Sequence, residues 1–181
     1  MARETTDRLH FIYSNQRKVC GFTLLELMIV ITVMMVLATA AAPSFSALIE
    51  SNKVKRLATE IEWLLVQAKS ESVLRGLAVM VQPKTMAGTS AAASSSPWSI
   101  EATLSNGTVL GKVSSADFPS IKIYENFSTL GFDSLTGRPN KDGHFGFFAD
   151  SSKMVRVEVR KMTGRLVSCS DGGAYGYTQC P

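Results

Sequence analysis

The chain is predicted to be α+β, a long N-terminal helix packed on a C-terminal antiparallel β domain. Three observations predict it. Residues 22–42 form an apolar run with one charge, Glu26, and residues 54–68 carry apolar side chains at helical spacing. Beyond Gly76 the period shortens to two, with turn residues between short runs. A length of 181 residues suits one domain with an appended segment, and 19% charged against 45% hydrophobic residues excludes a disordered or collagen-like chain. A net charge of +4 is too small by itself to signal nucleic acid. Two histidines and three scattered cysteines cannot supply a Cys₂His₂ zinc pattern.

The N-terminal elements follow from charge and length. Residues 1–21 are polar and carry Arg3, Arg8, Arg17 and Lys18 against Glu4 and Asp7. The apolar run from Phe22 to Ala42 is about 31 Å long as a helix, one bilayer core. Basic residues ahead of it keep that end cytoplasmic and send the rest across the membrane. Glu26 is the anomaly, because a carboxylate within a spanning segment costs about 2.5–3.5 kcal/mol at the centre and less near the interface. Either it sits at the cytoplasmic headgroups, or it awaits a cationic partner once the chain leaves the bilayer.

Gly21-Phe22-Thr23-Leu24-Leu25-Glu26, after a short basic leader and before an uncharged apolar run, resembles the class III signal of type IV pilins and type II secretion pseudopilins. The resemblance implies a pilin-like fold, removal of residues 1–21 by a prepilin peptidase that cuts between Gly21 and Phe22, and N-methylation of Phe22. It also implies that Glu26 pairs with the terminal amine of a neighbouring subunit during filament assembly. Cys20 before the glycine and a rather long leader depart from the pattern. An ordinary secretory signal is the competing reading, since Ala38-Thr39-Ala40 and Ala40-Ala41-Ala42 have the A-x-A form. It leaves Glu26 awkwardly at the entrance to the apolar stretch.

Pro43 is expected to kink the helix at the end of its hydrophobic half, residues 22–43. An amphipathic half, residues 44–75, follows with Val54, Leu57, Ile61, Leu64, Leu65 and Ala68 on one stripe. Arg75-Gly76 reads as a cationic last turn and left-handed cap. Phe22 to Arg75 amounts to about 80 Å of helix, too long for the remaining residues to cover. The end of this helix, residues 68–76, resembles the FimT/FimU and GspH group of minor pilins and pseudopilins.

Residues 76–181 are expected to be the β-rich periplasmic domain. Leu77–Gln82 is a short run closed by Pro83, and 84–96 reads as a low-complexity loop. Strands are predicted at Trp98–Leu104, Thr108–Val113, Ile121–Tyr124, His144–Ala149, Lys153–Lys161 and Arg165–Ser168. Asn106-Gly107 and Thr163-Gly164 read as hairpin turns. In 153–161, Val155, Val157 and Val159 alternate with Arg156, Glu158 and Arg160, which predicts one buried and one solvated face. Loss of the leader removes Cys20 and leaves Cys169 and Cys180 in an oxidising compartment, where a disulfide is expected; such a C-terminal loop is also common in pilins.

No catalytic or metal-ligand spacing is present, and no cofactor is expected. His144 reads as a strand residue among phenylalanines, and Asp133, Asp142 and Asp150 do not form an EF-hand loop. The remaining signal is seven basic against three acidic residues between Leu135 and Leu166. Arg156, Arg160, Lys161 and Arg165 are the candidate DNA contacts. Some DNA-binding FimT-type pilins carry Gly-Arg-x-Arg here, and Gly164-Arg165-Leu166-Val167 lacks the second arginine. The function expected is a minor type IV pilin, a non-enzyme that primes pilus assembly among major and minor pilins after a stay in the inner membrane. A GspH-like pseudopilin of a type II secretion machine and a pilus-borne DNA receptor are the alternatives.

Overall fold

The computed structural model describes residues 21–84, 93–95 and 97–181. One helix, α1 (Leu24–Arg75), precedes eight strands: β1 (Val79–Lys84), β2 (Ser99–Leu104), β3 (Val109–Ser114), β4 (Lys122–Glu125), β5 (Leu130–Phe132), β6 (Gly143–Phe148), β7 (Val155–Val159) and β8 (Leu166–Ser170). The chain divides into two units, Met1–Pro43 and Ser44–Pro181.

In the first unit, residues 21–41 are exposed throughout. The helical residues hold a stretch of mean hydropathy 2.4 with none of it buried, long and apolar enough to cross a membrane. Its two hydroxyls are satisfied along the helix, Thr32 donating to the Ile29 carbonyl and Thr39 to the Val36 carbonyl, each at 2.8 Å. No side-chain donor therefore needs water there.

The second unit is built around the amphipathic half of α1. Val54, Leu57, Ala58, Ile61, Leu65 and Ala68 are essentially inaccessible, as the 3- and 4-residue spacing requires. The helix ends at Gly76, whose φ of 63° is the left-handed conformation that glycine adopts without a Cβ penalty, so the cap read from Arg75-Gly76 is present. Ser72 lies buried in the last turn, its hydroxyl 2.7 Å from the Lys69 carbonyl and 3.2 Å from that of Asp133.

The strands form two antiparallel four-stranded sheets, ordered β3-β2-β1-β5 and β4-β6-β7-β8. Alternation places Val79, Val81, Ile100, Ala102, Leu104, Leu130 and Phe132 of the first sheet in one core with the helix stripe. Ile123, Phe145, Phe147, Val155, Val157 and Val159 of the second join the same core. Trp98 closes it, donating its indole N–H to the Ile121 carbonyl at 3.3 Å.

Several strand expectations need correction. Pro83 does not close β1, which continues to Lys84; β5 pairs only as far as Val81, so Pro83 stands at an edge where a missing N–H is tolerated. β5 itself was not legible, because three residues carry no period. Of the expected loop 84–96, Lys84 is in β1 and Ser94 exchanges backbone bonds of 2.9 and 3.0 Å with Ile123, while 85–92 and 96 lie outside the described residues. The strand read as Lys153–Lys161 is only Val155–Val159: Lys153 belongs to a turn closed on the Asp150 carbonyl, and Arg160 opens the β7–β8 turn closed by the Gly164 N–H at 2.8 Å. The outer face of β7 is not simply solvated either. Glu158 is buried and Arg156 half-buried, because Tyr124, His144 and the C-terminal loop cover it.

Tyr124 lies flat across Gly146 of the neighbouring strand, where a built Cβ would fall 2.2–2.4 Å from three atoms of the phenol. Its hydroxyl lies 2.9 Å from the Met154 sulfur. Gly146→Ala must push the ring off the sheet. A loss of about 1–3 kcal/mol is expected in urea unfolding, with unfolding slope unchanged.

Candidate functional site

The three expected site residues, Gly21, Phe22 and Glu26, lie around the start of α1. Gly21, Phe22 and Thr23 precede the helix in non-helical conformation, and Phe22 is 73% exposed. The Thr23 carbonyl accepts the first intrahelical bond, from the Leu27 N–H at 3.1 Å. The Thr23 hydroxyl oxygen accepts the Glu26 N–H, also at 3.1 Å. Glu26 thus stands in the first turn, where the helix dipole favours a carboxylate. The sequence reading named Gly21, Phe22 and Glu26 but missed Thr23; the signal was the Thr-x-x-Glu spacing of a capping box. α1 passes through Pro43 without ending, and the boundary between the two units falls at this residue.

The C-terminal segment is tied to α1 by three polar contacts in antiparallel order. Lys69 Nζ donates to the Gly164 carbonyl at 3.1 Å, Ser168 bonds Glu62, and Tyr175 donates to Glu50 at 2.8 Å. Burial, and then Glu50, push the Tyr175 phenol far above its ordinary pKa, so it remains a donor. Tyr175 holds this bond from a left-handed backbone (φ 55°), a costly conformation for an aromatic residue. Cys169 and Cys180 are joined in a disulfide with Cα atoms 4.9 Å apart, as expected. The Ala174 N–H caps on Ser170 Oγ at 2.8 Å, and Ser170 and Gln179 form a parallel bridge.

The four basic candidates do not form one free stripe. Arg156 pairs with Asp171 at 2.6 Å and anchors the start of the disulfide loop. Arg160 pairs with Glu158. Only Lys161 and Arg165 stand exposed without a carboxylate partner, in the β7–β8 turn, which Asp142 holds by accepting the Lys161 N–H at 2.7 Å. Charge counting along the chain could not show this, because Asp171 lies beyond the window counted.

The remaining titratable candidates serve the fold. Asp133 accepts the N–H groups of Thr136 and Leu135 and the Thr136 hydroxyl, and Asp150 accepts from Ser152; both carboxyls are held below their ordinary pKa by these bonds. Each caps its own turn. Among the described residues, the carboxylate, thiol and imidazole ligands gathered at metal-site distance are Glu158, Cys169 and Cys180, and both sulfurs are spent in the disulfide. His144 meets Tyr124 edge-on at 5.8 Å beside a cleft of about 110 Å³ lined by Asn126, Asp142, Glu158 and Arg160. Burial, then the Arg156 charge, hold its pKa below the usual value. Glu125 is buried with one oxygen unpartnered, and burial raises its pKa.

Two measurements follow from this geometry. Serine at both 169 and 180 opens an 11-residue separation and is expected to cost about 3 kcal/mol of stability in urea titration. For His144 the folded pKa lies below the unfolded one. Its contribution is present above about pH 6.5 and is lost as pH falls through that value, because the unfolded chain takes the proton first. Glu125 acts with the opposite sign. The expected result is therefore a difference: between pH 7.5 and 5.5, His144→Gln loses less stability than the parent chain.

Residues 16–42 match the family model described as the prokaryotic N-terminal methylation motif. No curated protein sequence matches the chain. In structure it is similar to the Pseudomonas aeruginosa (strain PAO1) type IV minor pilin FimU in two crystal forms. The P65 form shows 19% identity and a TM-score of 0.45, over 63% of this chain and 90% of that one. The P21 form shows 18% identity and a TM-score of 0.47, over 64% and 87%. The glycine, the exposed phenylalanine and the first-turn glutamate all fall within the matched segment, so this chain carries an N-terminal methylation motif at the head of its apolar helix.

Proposed function

We propose that the chain is a minor type IV pilin of the FimT/FimU kind, held in the inner membrane by residues 22–42 and then incorporated into a pilus whose assembly it helps to prime. A prepilin peptidase cuts between Gly21 and Phe22, and Phe22 is N-methylated. The observation that carries the reading is a helix uncovered on every face from residue 24 to 41, with one carboxylate in its first turn, inside the methylation motif. Such a surface is stable only in lipid or against other apolar helices. In the bilayer Glu26 resides at the cytoplasmic interface. In the filament it pairs with the terminal ammonium of an adjoining subunit, where low dielectric strengthens the attraction. The motif thereby couples processing to assembly, since the amine exists only after the leader is cut.

The Ser44–Pro181 unit selects neighbours, and Pro43 loosens the helix between the spanning half and this unit. The chemistry is mechanical: the protein binds other major and minor pilins and catalyses nothing. The same assembly physics serves a GspH-like pseudopilin, and presence of the chain in sheared surface filaments decides for the pilus.

Intact mass of the purified mature protein tests the cut. A chain beginning at methylated Phe22 is expected, and a start near Pro43 would reduce the apolar helix to a discarded secretory signal. Glu26→Val is expected to insert into the membrane at the parent level yet fall at least tenfold in sheared filaments, read by quantitative blotting of both fractions.

A further inference from the structure

The bond proposed to be cut lies immediately outside the point where α1 starts, and a side-chain cap stands at that point. Thr23 occupies the N-cap position: its hydroxyl oxygen accepts the Glu26 N–H, and its carbonyl accepts the Leu27 N–H. Gly21 and Phe22 upstream are exposed and non-helical. A helix beginning one turn earlier would draw the Gly21 carbonyl and the scissile amide into the intrahelical ladder. Proteolysis requires an extended backbone, so such a bond resists cleavage. Leu24 and Leu25 favour a helix as strongly as the residues after them, and Phe22 does not stop its growth toward the N-terminus; Gly21 opposes it by only about 1 kcal/mol. The cap adds to this, by turning one otherwise orphaned N–H toward a side chain. A membrane interface sharpens the effect, because an unsatisfied N–H is costlier where water is scarce.

We infer that the Thr23 hydroxyl is a positioning residue for leader removal: it pins the helix start so that the Gly21–Phe22 amide is presented as extended chain to the peptidase. The inference rests on the cut proposed above. In that hydrolysis the oxygen of water joins the Gly21 carbonyl carbon and the carbon–nitrogen bond breaks. Gly21 departs as a carboxylate, and Phe22 keeps the nitrogen as an ammonium. Thr23 touches none of these atoms; it acts through the backbone it holds.

The test is a pulse-chase of the full chain in cells containing a prepilin peptidase, with precursor and mature forms quantified in the membrane fraction and the mature N-terminus identified by mass. Thr23→Val preserves shape and removes the hydroxyl; Thr23→Ala removes both; Thr23→Ser restores the acceptor. Conversion about fivefold slower for Val and Ala, with Ser within twofold of the parent, is expected from loss of an N-cap. A general packing role would not be rescued by serine alone. Parent-like conversion of Thr23→Val, or a serine variant as slow as valine, overturns the inference while leaving the proposed function standing. Absence of a cut between Gly21 and Phe22 in the parent chain overturns both.

Discussion

An apolar surface with no protein on it is the constraint to which the rest of this molecule answers. In the first half of α1 the hydrophobic residues run all round the helix and are uncovered, whereas the second half buries one apolar stripe and leaves others, Trp63 and Leu74 among them, exposed. The difference decides what each half can do. A stripe is satisfied by one sheet sandwich, and the buried Val54, Leu57, Ile61 and Leu65 are satisfied in that way. A cylinder is satisfied only by an apolar surround, lipid or a set of like helices. Glu26 is legible against that background, because a first-turn carboxylate is tolerable at a headgroup and useful beside an ammonium.

The second unit uses polar contacts where its apolar core ends. Its last strand and C-terminal loop run along α1 and bond it at Lys69, Glu62 and Glu50. The disulfide holds the loop close, and Arg156 pins its beginning through Asp171. Each contact is modest, but they are spaced along about five helical turns and resist sliding of strand past helix. Tyr175 shows the cost of this arrangement, accepting a left-handed backbone so that its hydroxyl can reach Glu50. Such lateral ties add direction to the packing, since hydrophobic contact alone is non-directional.

Much of this was legible in the residues. The helix stripe, its Gly76 cap, the hairpin at Asn106-Gly107 and seven of the eight described strands followed from spacing and turn chemistry, because these are local. The disulfide followed from the cysteine count beyond the leader. The methylation motif around Glu26 was legible because a charge within an apolar run is so unfavourable that it stands out. The misses were of another kind. β5 exists because β1 offers it an edge, and Pro83 survives within a strand because that edge is free beyond Val81. The basic stripe broke up because two arginines found carboxylates, one of them across the sheet.

From the residues alone came the α+β class, the all-round apolar helix, the amphipathic stripe and the methylation motif, since each depends on neighbours within a few positions. Only the tertiary structure decided which charges remain free, which face of β7 is covered, where β5 pairs and how the C-terminus is moored to α1. Apart from the Arg160–Glu158 pair along β7, those outcomes depend on groups brought together from 15 to 125 positions apart. Periodicity carries no record of such distances, and packing creates them.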